Sequence, residues 1–315
     1  MYSLMLRRLL ILPLLLILVS LVAFMYPYVT GIDPVGPILR SRIGEREQTP
    51  EIVAAVKAEL GLDKPLIVQY LYWLRDIFKG DLGTSFVSQA QVSDVLFRGL
   101  KVTLILSLVS LAFSIIVSLP LGVLSALRPG KWLDNLIALI TQTGVAIPEY
   151  WFAPVLILIF SLKLGWLPSA GWRGPLFIIM PALTLALRPI SYFTRLTRET
   201  MIEVMQKDYI RAARAKGLSE SQIIWKHALR NSLIPVVTLI TLWLAGLLGG
   251  SVIVEVIFAV PGIGRVMYEA VLANDLPIVQ TGVVLITGLA VIINTVTDLG
   301  YIILNPAIRL DQSNG

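Results

Sequence analysis

The residues that ordinarily carry catalytic chemistry are almost missing from this chain. Its 315 residues include no cysteine and a single histidine, His227. Thiolate metal sites, disulfide frameworks and cysteine nucleophiles are therefore excluded, and a histidine-based triad has almost nothing to be built on. The sequence contains no H-E-x-x-H or G-x-S-x-G pattern and no G-x-x-x-x-G-K-[ST] phosphate loop, so the chain does not bind ATP by that route. What remains are polar groups inside apolar runs. Asn294 and Asp298 lie one helical turn apart in the run from Ile278 to Leu304, beside Thr295 and Thr297, and Glu149 follows Pro148 within the run from Leu136 to Phe160. An ionisable group at membrane depth is a candidate for a transport pathway. Asp298 also has a plainer reading, because near the inner end of its run it can pair with loop arginines or cap a neighbour. Glu149 faces either a cavity or water.

The elements that must hold these residues follow from composition. Hydrophobic residues make up 56% of the chain and charged ones 15%, and the apolar residues are gathered into long runs, which excludes an ordinary soluble domain. Six membrane-crossing helices are expected, near Leu9 to Tyr28, Val102 to Leu124, Leu136 to Phe160, Leu176 to Thr194, Ile234 to Ile257 and Ile278 to Leu304. The first resembles a signal peptide, but it lacks a small-x-small cleavage site and is long enough to stay as an anchor. Pro181 and Arg188-Pro189 interrupt the fourth. The net charge of +6 reflects topology better than nucleic acid, because nine of the 26 basic residues fall between Arg188 and Arg230, beside these spans. With the N-terminus inside, the inner loops and tails carry 14 basic residues and the short outer loops three (Lys163, Arg173 and Arg265), so both termini are expected to be cytoplasmic.

The long outer segment carries two amphipathic patterns. Thr49-Pro50 and Gly61 bracket the apolar positions Ile52, Val53, Val56 and Leu60, and a second helix is expected from Pro65 to Lys79 with Leu66, Tyr70, Trp73, Leu74 and Ile77 on one face. The pair forms either a cap over the bundle or a docking surface. Between the fourth and fifth spans, Asp208 to Pro235 reads D-Y-I-R-A-A-R-A-K-G-L-S-E-S-Q-I-I-W-K-H-A-L-R-N-S-L-I-P. Its alanines favour a helix that Gly217 ends. Ser219 and Gln222 then form a capping box for a second short helix, whose apolar face is Ile223, Ile224, Ala228 and Leu229. Such a knob suits either a groove on another protein or the surface of anionic lipid.

At these residues the chain resembles the cytoplasmic coupling motif of ABC importer permeases of the dipeptide, oligopeptide and nickel branch, through Asp208, Tyr209, Arg211, Ala213 to Leu218, His227 to Asn231 and Pro235. The likeness continues at Gly31 to Pro34, Glu59 to Pro65, Gly80 to Ser85, Leu164 to Gly171 and Pro261 to Arg265, with small departures at Leu276 and at Asn305 to Arg309. It implies an all-α polytopic membrane protein of about six spans with the type I importer permease fold. Its implied parts are an anchor span (1–29), an extracytoplasmic segment (30–101), a transmembrane domain (102–304) with a coupling loop (195–233), and a cytoplasmic tail (305–315). The resemblance implies half of a translocation pathway in a prokaryotic plasma or inner membrane, in contact with lipid and not with nucleic acid. Its partners would be a second similar permease, two ATPase subunits holding ATP and magnesium, and an external substrate-binding protein. This chain would bind no cofactor or metal of its own. The ATPase-contacting residues would be Asp208, Tyr209, Arg211, Ala212, Ala213, Arg214, Ala215, Lys216, Gly217, Leu218 and Ser219, and Glu149, Asn294 and Asp298 are the pathway candidates. The substrate class implied is di- or oligopeptides, with glutathione, nickel chelates and oligosaccharides as alternatives. The rivals are an ion-gradient transporter, which would want an internal repeat and broken midplane helices, and a membrane enzyme, for which no constellation is found.

Overall fold

A computed structural model describes residues 2–31, 35–36, 39, 49–59 and 61–304, and apart from one isolated bridge between Thr84 and Gln91 their regular structure is helical. In chain order the helices are α1 (Tyr2–Thr30), α2 (Pro50–Glu59), α3 (Leu66–Phe78), α4 (Val92–Leu127), α5 (Trp132–Ala146) and α6 (Glu149–Leu156), the last continued by a π-helical segment, Ile157–Lys163. There follow α7 (Leu176–Met205), α8 (Asp208–Ala215) and α9 (Glu220–Gln222), then a second π segment (Ile223–Ala228) that leads into α10 (Leu229–Gly250). The last described helices are α11 (Val252–Ile257), α12 (Ile263–Leu272) and α13 (Leu276–Leu304).

Among the described residues, five stretches are long and apolar enough to cross a membrane: Leu12–Thr30, Val92–Leu127, Leu176–Met205, Glu220–Gly249 and Leu276–Thr297. A sixth is counted if α5 and the helix from Glu149 to Lys163 form one broken span, bent by 104°. This corrects the expected uninterrupted run from Leu136 to Phe160. Pro148 lacks an N–H and drives the preceding residue out of the helical region, and Ile147 is extended (φ −74°, ψ 122°). The fourth span behaves in the opposite way. Pro181 and Pro189 lie inside α7 without ending it, and the hydroxyls of Thr184 and Ser191 donate to the Met180 and Leu187 carbonyls in the same turns.

The residues form two compact units, Met1–Val102 with Pro261–Ile292, and Thr103–Val260 with Ile293–Gly315. In the first, α3 lies along α1: the Tyr70 and Ser20 hydroxyls share a hydrogen bond of 2.8 Å, and the Tyr70 and Trp73 rings stand 5.5 and 5.8 Å from that of Phe24. Val92, Leu96, Ile263, Ala270, Ile278 and Val279 make its main apolar cluster. The buried Asp275 accepts from the Ser85 hydroxyl and from the Phe86 N–H (3.0 Å), which ties the Gly80 to Ser85 turn to the start of α13. In the second unit, α4 turns a buried stripe of Thr103, Ser107, Ser110, Ser114, Ser118 and Ser125 inward. Small residues let helices approach closely where there is no hydrophobic force between them. A Cβ added at Gly122 would lie 2.6 Å from the Thr197 Cβ, and one at Gly144 would lie 2.6 Å from the Ser191 hydroxyl.

Candidate functional site

The 206–235 segment is built as a rigid turn on a packed base. Lys207 is extended (ψ 151°), and α8 then turns Ile210 and Ala213 inward. There they join Val123, Ala126, Met201, Ile223 and Ala228 in one buried cluster, with Leu218, Ile224 and Leu229 packed at its edge. The knob is therefore cemented to the ends of α4 and α7. At its tip the helix ends in a Schellman arrangement, with the Gly217 N–H donating to the Arg214 carbonyl (3.0 Å) and the Leu218 N–H to the Ala213 carbonyl (3.3 Å). Gly217 has φ +80°, a conformation that costs other residues. Immediately afterwards the Ser219 hydroxyl accepts from the Gln222 N–H (3.3 Å) and the Gln222 side chain accepts from the Ser219 N–H (3.2 Å), the expected capping box.

Charges on the knob are paired locally. Arg214 bridges the turn to Glu220 at 2.7 Å, Arg211 meets Asp208 at 3.3 Å, and Lys207 meets Glu203 at 2.7 Å. Hydrogen bonding to Glu203 raises the Lys207 ammonium above its ordinary value. The Asn231 amide donates to the Tyr209 hydroxyl (3.1 Å) and to the His227 carbonyl (2.8 Å), and His227 takes no part in any metal-ligand cluster among the described residues. The candidate coupling residues thus separate by exposure. Asp208, Tyr209, Arg211, Ala212, Arg214, Ala215, Lys216, Gly217 and Ser219 are exposed, Leu218 is half-buried, and Ala213 faces the core. The second helix is not a separate short element: Glu220 begins a helical stretch that runs to Gly249, the fifth span.

Two buried acids, Asp134 and Glu255, have partners that no local pattern shows, although Glu255 belongs to the motif that precedes Pro261 to Arg265. Asp134, at the start of α5, is buried and accepts two bonds from Arg198 on α7 (Nε to Oδ1, 2.6 Å; Nη2 to Oδ2, 2.7 Å). It also accepts from the Gly130 N–H (2.7 Å) and the Ser125 hydroxyl. Glu255, at zero exposure, accepts from the hydroxyls of Thr103 (2.6 Å) and Ser251 (2.8 Å). In sequence each is a single acid beside an apolar run, and one partner of each, Arg198 for Asp134 and Thr103 for Glu255, is remote. Of the pathway candidates, Glu149 is half-buried in the first turn of α6, within the field of Arg188, and Asn294 is exposed on α13. No hydrogen bond or ion pair among the described residues joins them, and the Asp298 side chain lies outside those residues.

Comparison with known proteins covers nearly the whole length. Residues 118–310 match the family model for the binding-protein-dependent transport system inner membrane component, and residues 1–108 match the model for the N-terminal part of such membrane components. A protein provisionally named as a peptide transport system permease in Brucella abortus is 42% identical over 271 residues, 84% of this chain and 86% of that one. The glutathione transport system permease protein GsiC of Salmonella typhimurium is 37% identical over 304 residues, 96% of this chain and 98% of its own. Among solved structures, a chain of the MetNI methionine ABC transporter in an inward-facing form overlaps 67% of this chain and 96% of its own, with a TM-score of 0.57 and 24% identity, a likeness of fold.

Proposed function

The chain belongs to the family of inner-membrane components of binding-protein-dependent transport systems, and from that premise we propose that it forms half of an import pathway for short peptides. As a permease of the ABC importer type it is a multi-pass membrane protein and a transporter subunit, not an enzyme with its own ATPase site. The single observation carrying this reading is that one family likeness runs from residue 1 to residue 310, interrupted only between 108 and 118. Short peptides are favoured because relatives named for peptide and for glutathione transport both match, and glutathione is itself a tripeptide.

The remaining assignments rest on the same premise. The 208–219 knob docks into an ATPase subunit that binds ATP and magnesium, and a second permease and an external binding protein complete the complex. The chain sits in a prokaryotic inner or plasma membrane with both termini in the cytoplasm. The chain divides into an anchor span (1–29), a segment that leaves the membrane on the outer side (30–101), a transmembrane domain (102–304) whose first helix already begins at Val92, and a tail (305–315). What supports the coupling assignment is mechanical, since a turn fixed by two caps and cemented to α4 and α7 moves as a body. Two conformations of the spans would then be stabilised differently by the open and closed ATPases.

Reconstitution tests the function. The permease pair, ATPases and binding protein in liposomes are expected to accumulate a labelled dipeptide only with ATP and binding protein present. Accumulation by this chain alone on a proton or sodium gradient would overturn the reading.

A further inference from the structure

The depth of α3 conflicts with a water-exposed extracytoplasmic helix. Ser20, which bonds Tyr70, lies ten residues before Thr30, the outer end of the membrane-crossing helix α1, or about 15 Å at 1.5 Å per residue. A tyrosine side chain spans only part of that distance, so the α3 backbone beside Tyr70 is below the level where α1 leaves the bilayer. A second span also places this contact inside a crossing stretch, at a shallower level of about 6 to 9 Å from the stretch ends. Gln280, one turn inside the stretch Leu276–Thr297, donates to the Phe24 carbonyl (3.2 Å), and Phe24 is the residue against which Tyr70 and Trp73 pack.

The rest of α3 fits that depth. With Tyr70 and Trp73 turned to α1, positions 67, 71, 74 and 78, spaced four, three and four residues apart, form a second apolar stripe. Ile67, Leu71 and Phe78 on it are 69%, 56% and 81% exposed. The charges of α3 are masked or kept at its edge: Arg75 and Asp76 pair at 2.8 Å, and Lys64 and Arg75 lie 4.6 and 5.1 Å from the centre of the Tyr72 ring. Long basic side chains stacked in this way carry their charge toward the headgroups while their stems cover apolar surface.

We propose that α3 is a membrane-embedded helix lying in the leaflet where α1 emerges, with Ile67, Leu71 and Phe78 against acyl chains, and that its occupant is lipid and not another protein. The inference rests on α1 and α13 crossing the bilayer and is independent of what is transported. Because the chain has no native cysteine, Ile67→Cys, Leu71→Cys and Phe78→Cys each accept one nitroxide, and exposed Asp63→Cys in the preceding turn serves as the aqueous reference. In full-length protein reconstituted in phosphatidylethanolamine–phosphatidylglycerol vesicles, the three stripe positions are expected to collide with oxygen several-fold more often than with a water-soluble nickel chelate, relative to position 63. Equal ratios at positions 63 and 71 would overturn the proposal. So would shielding from the chelate that appears only after the binding protein is added, since that makes the stripe a protein-docking face. Three positions keep the test decisive should one label perturb folding, and failure here leaves ATP-dependent uptake untouched.

Discussion

Asp134 and Arg198 carry more structural weight than any residue chosen for chemistry. The carboxylate is nearly inaccessible and uses both oxygens, with a bidentate guanidinium on one side and Gly130 and Ser125 on the other. Removing one member of such a pair strands the other, which costs roughly 3 kcal/mol, and the part of Arg198 that reaches solvent (31% of its side chain) keeps the loss at the lower end of the usual range. Asp134→Ala is therefore expected to lower the melting temperature in detergent markedly, and Asp134→Ala with Arg198→Met is expected to recover part of the loss. Strictly additive losses in that double-mutant cycle would mean that the two residues act separately. Glu149 makes a different case at the same scale. It stands at a helix break, partly accessible, where α6 presents free N–H groups, so Glu149→Gln is expected to fold normally and to alter uptake; unchanged uptake of every peptide tested would remove it from the pathway.

Elements that can be read from sequence are those whose signals are local. Pro65, Gly61, Gly217 and Ser219 each act on neighbours within a few residues, and α2, α3 and α8 begin and end within a residue or two of the positions those signals indicate. Pro148 and Pro189 show the limit of local signals. Both sit in apolar runs, yet one opens a 104° bend while the other is absorbed within a continuous helix. The proline alone does not decide the outcome. The serine stripe of α4 was hidden for a related reason, because its meaning depends on the helix it meets, where Gly122 leaves no room for a Cβ beside Thr197. Gly122→Val is thus expected to overpack this crossing at a cost of about 1 to 3 kcal/mol, read as reduced yield of folded protein after detergent extraction; normal yield and melting would show that the crossing can widen. The knob calls for the opposite logic. A Cβ at Gly217 meets nothing within the chain, so Gly217→Ala strains only the φ +80° backbone, whereas Gly217→Trp projects bulk outward. Both are expected to assemble, but only the tryptophan variant is expected to hydrolyse ATP without uptake. Wild-type uptake by Gly217→Trp would sink the coupling assignment.

For the whole molecule, the question is what a pathway built from two such halves will admit. A free peptide carries an ammonium and a carboxylate, and moving either into an apolar interior is expensive unless it is paired or hydrated. Among the described residues the span acids and the amide considered for the pathway do not converge, and the hydroxyl stripe of α4 is buried within its own unit. Glu149 is half-buried and Asn294 is exposed, while Asp134 and Glu255 are already committed to internal partners. On the import reading proposed above, the described residues form no cage that fits a particular side chain, and fine selection is assigned to the external binding protein, with the pathway keeping the charged ends hydrated during passage. That division of labour has a measurable consequence. In the reconstituted transporter, replacing the peptide-loaded binding protein by a glutathione-specific one from a related system that still docks is expected to convert uptake from dipeptide to glutathione without any change in this chain. Oligosaccharides, which lack charged ends, are expected to compete with neither. If the exchanged binding protein docks and stimulates ATP hydrolysis but glutathione does not enter, selectivity lies in the spans, and the search for it returns to the broken helix at Pro148 and the carboxylate beside it.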